Sequence, residues 1–492
     1  MRKTILALFL LSANFAFTQP VLYDLVISGG RVMDPETGLD AVRNVGIRGD
    51  RIVEISATAL KGAQEINATG LVVSPGFIDL HAHGMTNKAH EYQAHDGVTT
   101  ALELESGVLF LREWLAGKQG KTIVNYGASV PHGALRAMAM GTYSHYFAQA
   151  QEIIRKEGLE SLQLSKLGIN LARANYMPLE DHQMEALRTA MEYELQAGAL
   201  GIGVPVGYYP GARPGEIFKV YSYAAEKKAI VFSHTRGFGM PGIQEAIANA
   251  TASGAPLHIV HANSLSLADI QVTLDMVAAA QTRGLDITTE VYPYTAASTS
   301  IESAIFDEGW QEKLGVSYGD IQWEASGERL SEASFQRYRK QGGVVIMHMM
   351  KPEWIKAGIR DPRTLIASDG MPYAPGAHPR TAGTFSRVLG KYVREENTIG
   401  LMEALSKMTL MPAKRLENIA PSMRQKGRLQ IGADADITVF DPTQVIDKAD
   451  FSTLRFSQGI THVLVNGTLV VKEGKTVENA FPGRPVLGKY RN

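Results

Sequence analysis

Short apolar runs recur through the middle of this chain, and several end abruptly on a histidine or an aspartate. Leu71-Val72-Val73-Ser74-Pro75-Gly76-Phe77-Ile78-Asp79-Leu80 runs into His81-Ala82-His83. Ala229-Ile230-Val231-Phe232-Ser233 leads to His234, Leu257-His258-Ile259-Val260 to His261, and Leu365-Ile366-Ala367-Ser368 to Asp369. Further strand-like runs lie at Thr100–Leu104, Thr122–Tyr126, Ile287–Val291 and Val344–Met347. Helical stretches such as Glu180–Ala197 and Leu267–Thr282 separate several of them. In the first, Glu185, Arg188, Glu192 and Glu194 are expected on a polar face, opposite Leu187, Met191 and Leu195. Repeated βα units predict an α/β fold with a parallel sheet and helical crossovers. Eight such units close a (β/α)8 TIM-like barrel, whose active site lies at the C-terminal ends of its strands.

The two ends of the chain read differently. Leu25-Val26-Ile27-Ser28 is followed by Gly29-Gly30, and Val45–Arg48 and Arg51–Glu54 flank the hairpin signal Gly49-Asp50. Near the other end, Asp436–Phe440 precedes Asp441-Pro442, and Val463–Val465 meets Thr468–Val471 across Asn466-Gly467. Both ends together are expected to build a small β-sandwich from residues 19–73 and 425–492, with the barrel spanning 74–424. The turn-rich, polar stretch 303–341 breaks the βα rhythm and reads as an insertion, either a lid over the site or an excursion without a role. At the start, Arg2-Lys3, the short apolar run Thr4–Leu11 and the small residues to Thr18 form a signal-peptide pattern over residues 1–18. It is too short to span a membrane. The expectation is a secreted, periplasmic protein.

Composition narrows the chemistry. With 49 Lys+Arg against 50 Asp+Glu, no global charge draws the chain toward nucleic acid or an anionic membrane, and neither is expected as a partner. There is no cysteine, which excludes disulfides, thiolate metal sites and cysteine nucleophiles. His81 and His83 alternate with Ala82, so in an extended segment their rings share one face, half of a site for a divalent transition metal. Alone, the pair reads equally as two solvated loop histidines. Four histidines at three strand ends and Asp369 at a fourth make the metal reading the stronger. In Ala101-Leu102-Glu103-Leu104-Glu105-Ser106 the two leucines share one face and the two glutamates the other. In a barrel strand the leucines would face the helices and the glutamates the lumen, where a buried carboxylate needs a partner.

Pro75-Gly76-Phe77-Ile78-Asp79-Leu80-His81-Ala82-His83, with His234, His261 and Asp369, resembles the amidohydrolase superfamily. Tyr208-Tyr209-Pro210-Gly211, His234-Thr235-Arg236, Val291–Ala296, Ser368-Asp369-Gly370 and His378-Pro379-Arg380 resemble more narrowly the D-aminoacylases, the N-acyl-D-amino-acid deacylases. The resemblance runs from about Tyr23 to Gly474. It implies a Zn2+ site of one or two divalent ions that activates water, whose pKa falls from about 15.7 to about 7 on zinc. His81, His83 and Asp369 would hold one ion and His234 and His261 the other, with Asp369 as general base and then general acid. The superfamily's fourth-strand lysine is absent from Gly198–Pro205, and the D-aminoacylase cysteine column falls on Ser106. Glu105 is therefore expected to bridge the ions, with Glu103 behind it. Tyr292, Ser298 and Arg380 match the residues that hold the substrate's α-carboxylate, and the family's lysine position is Asn263 here. The implied reaction frees an amino acid, of the D series, from an N-acyl-amino acid or dipeptide-like substrate. A cyclic-amide hydrolase of dihydroorotase or hydantoinase type, and a non-catalytic scaffold, are the alternatives.

Overall fold

The structure, a computed structural model, describes residues 22–157, 163–164, 167 and 172–491. The signal-peptide pattern lies outside them. Eight parallel segments ring the centre: β1 (Phe77–Asp79), β2 (Val98–Glu103), β3 (Asn125–Ala128, resumed at Val130–Pro131), β4 (Ile202–Pro205), β5 (Val231–His234), β6 (Leu257–Ile259), β7 (Ile287–Val291) and β8 (Thr364–Ile366). They pair as two arcs. One runs β1-β2-β3, and the other runs from the resumed part of β3 through β4, β5, β6 and β7 to β8. The break in β3 turns one arc into the other. The ring closes between β8 and β1 just past their ends, where His83 N donates to Gly370 O (2.8 Å) and Gly370 N to His81 O (3.3 Å). The Asp79 carboxylate stitches the same seam, accepting from His81 N (3.1 Å) and Ser368 N (2.9 Å). Strands this short are almost wholly buried, because side chains fill the lumen on one face and helices cover the other.

The expected helices form at Asp181–Ala197 and Ile270–Thr282, the latter preceded by a single 3-10 turn at Leu267–Asp269. Glu194 departs from the expected polar face. It is buried, and its two oxygens accept from Phe110 N (3.1 Å) and Leu111 N (3.0 Å). Those are unpaired donors at the start of the helix Leu111–Lys118, which lacks a capping side chain of its own. Period alone cannot distinguish a solvated glutamate from one that caps a neighbouring helix.

Val344–Met347 is a strand, but not part of the barrel wall. It pairs antiparallel with Ala297–Ser300 and with Ile321–Trp323, and this three-stranded sheet stands on the β7–β8 connection. The chain then returns through the helix Pro352–Arg360 to β8. A four-residue apolar run carries no information on which sheet it joins.

Strands from both ends of the chain make the β domain. Hydrogen bonding runs through one nine-stranded sheet. It forks at Leu22–Asp34, which pairs with Lys61–Asn67 along its first half and with Val72–Pro75 beyond an irregularity between Ile27 and Gly30. The fork folds the sheet over a core of Leu25, Ile27, Val32, Val45, Ile47, Ile437, Val439 and Leu464. Asn466 (φ 47°) and Gly467 (φ 79°) make the expected tight turn. Asn466 also reaches the barrel, donating to Asn125 Oδ1 (2.8 Å), while Asn125 Nδ2 donates to Asp436 Oδ2 (3.0 Å). Val72–Pro75 runs from this sheet straight into β1, so the domain sets the entry of the first metal-site strand.

Candidate metal centre

The polar residues picked out at strand ends converge at one mouth of the barrel. His81 and His83 follow β1, Glu105 lies two residues past β2, His234 ends β5, His261 follows β6 and Asp369 follows β8. His261 (φ 27°) and Asp369 (φ 52°) both have left-handed backbones. Such strain costs of order 1–3 kcal/mol and persists where the surrounding structure fixes it. Here each strained residue turns its side chain into the shared centre.

The donor spacing decides what the cluster fits. His81 Nε2 lies 3.2 Å from His83 Nε2, 3.3 Å from Glu105 Oε2 and 3.4 Å from Asp369 Oδ1. His83 Nε2 lies 3.3 Å from Glu105 Oε2 and 3.4 Å from Asp369 Oδ1. A tetrahedron with zinc-type arms of about 2.0–2.1 Å has edges of about 3.3–3.4 Å. Two triangular faces with such edges are present, His81–His83–Glu105 and His81–His83–Asp369. Across the Glu105 carboxylate, Oε1 lies 2.8 Å from His234 Nδ1 and 3.4 Å from His261 Nε2. One oxygen of Glu105 therefore faces each pair of histidines, the arrangement a bridging ligand requires.

A second layer of groups orients the rings. His81 Nδ1 meets Glu290 Oε1 at 2.6 Å, His83 Nδ1 meets Glu103 Oε2 at 2.7 Å and His261 Nδ1 meets Ser264 Oγ at 2.9 Å. Each contact turns the opposite nitrogen of its ring inward. Glu290 also takes His258 Nε2 at 3.0 Å. Burial pushes the Glu290 carboxyl up, but His81 and His258 outweigh it and hold it at about 2. Burial likewise raises Asp369, and the Arg380 guanidinium with His81 and His261 brings it well below the usual carboxylate range. Asp369 pairs with the Arg380 guanidinium while Glu103, Glu105 and Glu290 contact imidazoles, so with neutral rings the buried carboxylates outnumber the guanidinium, an imbalance that a divalent cation would offset.

Glu290, His258 and Ser264 escaped the sequence reading. Glu290 carried the signal that exposed Glu103 and Glu105, a carboxylate inside a buried strand. Ser106 is exposed, and its amide donates to Glu103 Oε1 at 3.1 Å.

Of the residues expected to hold a substrate carboxylate, three come together. Arg380 is buried, pairs through Nη1 with Asp369 Oδ2 at 2.8 Å, donates from Nη2 to Ser298 O at 3.3 Å and lies over the Tyr292 ring at 4.8 Å. Asn263 does not join them as a free donor. Its amide donates to Tyr292 O (3.0 Å) and its Oδ1 faces Tyr292 N (3.5 Å), so it clasps the backbone behind Tyr292. A cavity of about 440 Å3 opens over the centre, lined by His83, Glu105, Tyr208, His234, Ser298 and Asp369 among others.

Residues 64–471 match the model of the amidohydrolase family. The chain belongs to that family. It is 29% identical to an N-acyl-D-glutamate deacylase of Alcaligenes xylosoxydans xylosoxydans, over 94% of this chain and 96% of the relative. It is 28% identical to a D-aminoacylase of the same organism, again over 94% and 96%. Among solved structures it is similar to the N-acyl-D-glutamate deacylase from Bordetella bronchiseptica, complexed with zinc and a phosphonate mimic of the tetrahedral intermediate. That similarity has a TM-score of 0.79 at 24% identity and covers 95% of this chain and 100% of the other.

The strand β4, where the superfamily lysine is absent, has a packing constraint of its own. A Cβ on Gly203 would lie 2.2 Å from the Glu105 carbonyl oxygen and 2.7 Å from Ser129 Oγ. Gly203→Ala should therefore displace Glu105. The expected result is a lower thermal midpoint together with reduced metal content of the purified protein. Full metal content and an unchanged midpoint would show that this contact does not position Glu105.

Proposed function

We propose that this protein is a metal-dependent amide hydrolase that releases an amino acid of the D series from an N-acyl-amino acid or dipeptide-like substrate. The observation that carries the reading is the spacing of His81 and His83 from each other and from Glu105 and Asp369, with His234 and His261 placed across Glu105 for a second ion. The substrates named for the deacylase relatives support the class of bond cleaved. A zinc-type ion in such a site activates water and polarises a carbonyl. The residues do the rest. Asp369, kept ionised at neutral pH by Arg380, accepts the proton of the attacking water and passes it to the departing amine nitrogen as the C–N bond breaks. Glu103, Glu290 and Ser264 keep the imidazoles in place. Arg380, with Tyr292 and Ser298, pairs with the α-carboxylate, a role suited to the planar guanidinium fork. Export to the periplasm completes the proposal and rests on the basic and apolar pattern of residues 1–18.

The direct test is a screen for amine release from matched N-acyl-D- and N-acyl-L-amino acids with zinc-loaded protein. Release from the D series supports the reading, and no release from any member overturns it. Glu105→Ala should lose at least one of two bound ions by elemental analysis. A wild-type content that stays at one ion after zinc loading excludes the bridge. Asp369→Asn keeps the side-chain shape but removes the proton acceptor, so kcat should fall by roughly 10²–10⁴-fold. Activity within a few-fold of wild type would remove Asp369 from the proton path. Arg380→Ala should weaken kcat/KM more for free-acid substrates than for their amides, since breaking a desolvated charge pair costs about 2–5 kcal/mol. Equal losses on both would make Arg380 a support for Asp369 alone.

A further inference from the structure

Each group that orients a ring of the metal centre has a tie of its own. Glu103 Oε1 accepts from Ser106 N at 3.1 Å, and Ser264 Oγ donates to His261 O at 3.1 Å. Both ties are to backbone. Glu290 differs, because its tie is a side chain. Its Oε1 takes His81 Nδ1 at 2.6 Å and its Oε2 takes His258 Nε2 at 3.0 Å. Among the described residues, His258 is the one donor to Oε2.

Strand register builds this arrangement. On β6, His258 lies beside Phe232 of β5 and Thr288 of β7. Glu290 lies two places beyond Thr288 on the same face of β7, nearer the metal mouth. Thr288, His258, Glu290 and His81 therefore form one line of side chains through the barrel. Its lower end is at the barrel floor, where Thr288 lines a cavity of about 600 Å3 with Ile230, Pro256 and Asp286, the residues that enter β5, β6 and β7. Hydrogen-bond chemistry gives the line a direction. An ionised carboxylate only accepts, so His81 Nδ1 and His258 Nε2 both donate to Glu290. Burial pushes the His258 ring toward its neutral form, so its Nδ1 accepts, and Thr288 Oγ1 donates to it at 2.7 Å. Each bond commits the next group to one orientation. His258 and Glu290 are both buried, so bulk water does not stand in for either.

Resting on the metal-centre reading, we infer that His258 is a positioning residue for the ion on the His81 side: its Nε2–H holds the Glu290 carboxylate on His81 Nδ1 and so keeps His81 Nε2 directed at the other donors. Groups that orient metal ligands from behind are worth about 10–100-fold in metal affinity. His258 stands one step further out, so loss of its donor should cost about tenfold.

The test is the affinity of the metal-free protein for Zn2+, measured by competition with a chromophoric chelator. His258→Gln keeps an N–H donor at about the reach of Nε2, and His258→Met has similar length without one. His258→Met should raise the Kd of a bound Zn2+ about tenfold, while His258→Gln stays within about threefold of wild type. Beside Glu290→Gln, His258→Met should add less than about threefold, since the contact it removes ends on Glu290. Equal losses in the Met and Gln variants would make the ring a packing element and overturn the inference. So would a His258→Met Kd close to wild type, or a loss undiminished beside Glu290→Gln. If His258→Met does not fold, Thr288→Val keeps a β-branched strand residue and removes the hydroxyl that fixes the His258 tautomer. A Kd raised about threefold in Thr288→Val supports the line, and an unchanged Kd overturns it. A wild type that binds no Zn2+ overturns the metal-centre reading and this inference with it. Tight binding by wild type with unmoved variants overturns this inference alone.

Discussion

The Glu105 carboxylate is the constraint around which the rest of the centre is arranged. It is buried, and an ionised carboxylate taken from water without partners is too costly to persist. Its partners are four imidazoles, two on each oxygen. Burial raises its proton affinity, but His81, His234 and His261 outweigh burial and hold it well below the usual carboxylate range. Reaching all four rings fixes where β1, β5 and β6 end relative to β2. The same demand fixes β4, whose Gly203 leaves room for the Glu105 backbone to pass. The closing seam between β8 and β1 lies beside it, so the hydrogen bonds that complete the barrel also set the spacing of His81, His83 and Asp369.

Much of this was legible in the sequence because it depends on period and position. Strand alternation gives Glu103 and Glu105 one face and the leucines the other, and a barrel turns that face inward. The histidines and Asp369 stand out because each ends an apolar run. The Asn466-Gly467 turn is legible because its backbone requires residues that tolerate positive φ. What stayed hidden depends on tertiary partners. Val344–Met347 is more apolar than β5, yet its antiparallel neighbours place it outside the barrel. Glu194 falls on a face that period marks as polar, yet it serves the helix Leu111–Lys118. Asn263 occupies a column whose side chain faces substrate in the family it resembles, but here its amide completes the backbone of Tyr292. An amide can satisfy a peptide group in both directions, as donor and acceptor, and an ammonium cannot.

The absence of cysteine gives the bridge a different chemistry from the thiolate of the D-aminoacylase pattern. A carboxylate offers two hard oxygens at fixed separation, so it can face two ions without placing one atom between them. Ser106 next to it contributes only its backbone amide, which donates to Glu103. That bond ties the residue in the old cysteine column to the carboxylate behind His83. On the proposed reading Glu105 would supply the bridging oxygens, while the neighbouring position helps to hold Glu103.

His83 connects the chemistry to the shape of the site. Its side chain is 16% exposed, against 1% for His81, and it lines both the cavity over the centre and a neighbouring cavity of about 820 Å3. Glu103 fixes the ring by taking Nδ1 at 2.7 Å, which directs Nε2 to the centre and leaves the ring in the cavity wall. A ligand whose ring forms part of a wall serves two purposes with one rotamer. It contributes a donor to the cluster, and it shapes the cavity over the centre. Rotating His83 away would lose the donor spacing of 3.2–3.4 Å and reshape that wall together. The Glu103–His83 contact therefore ties the β2 carboxylates to the wall of the cavity over the centre.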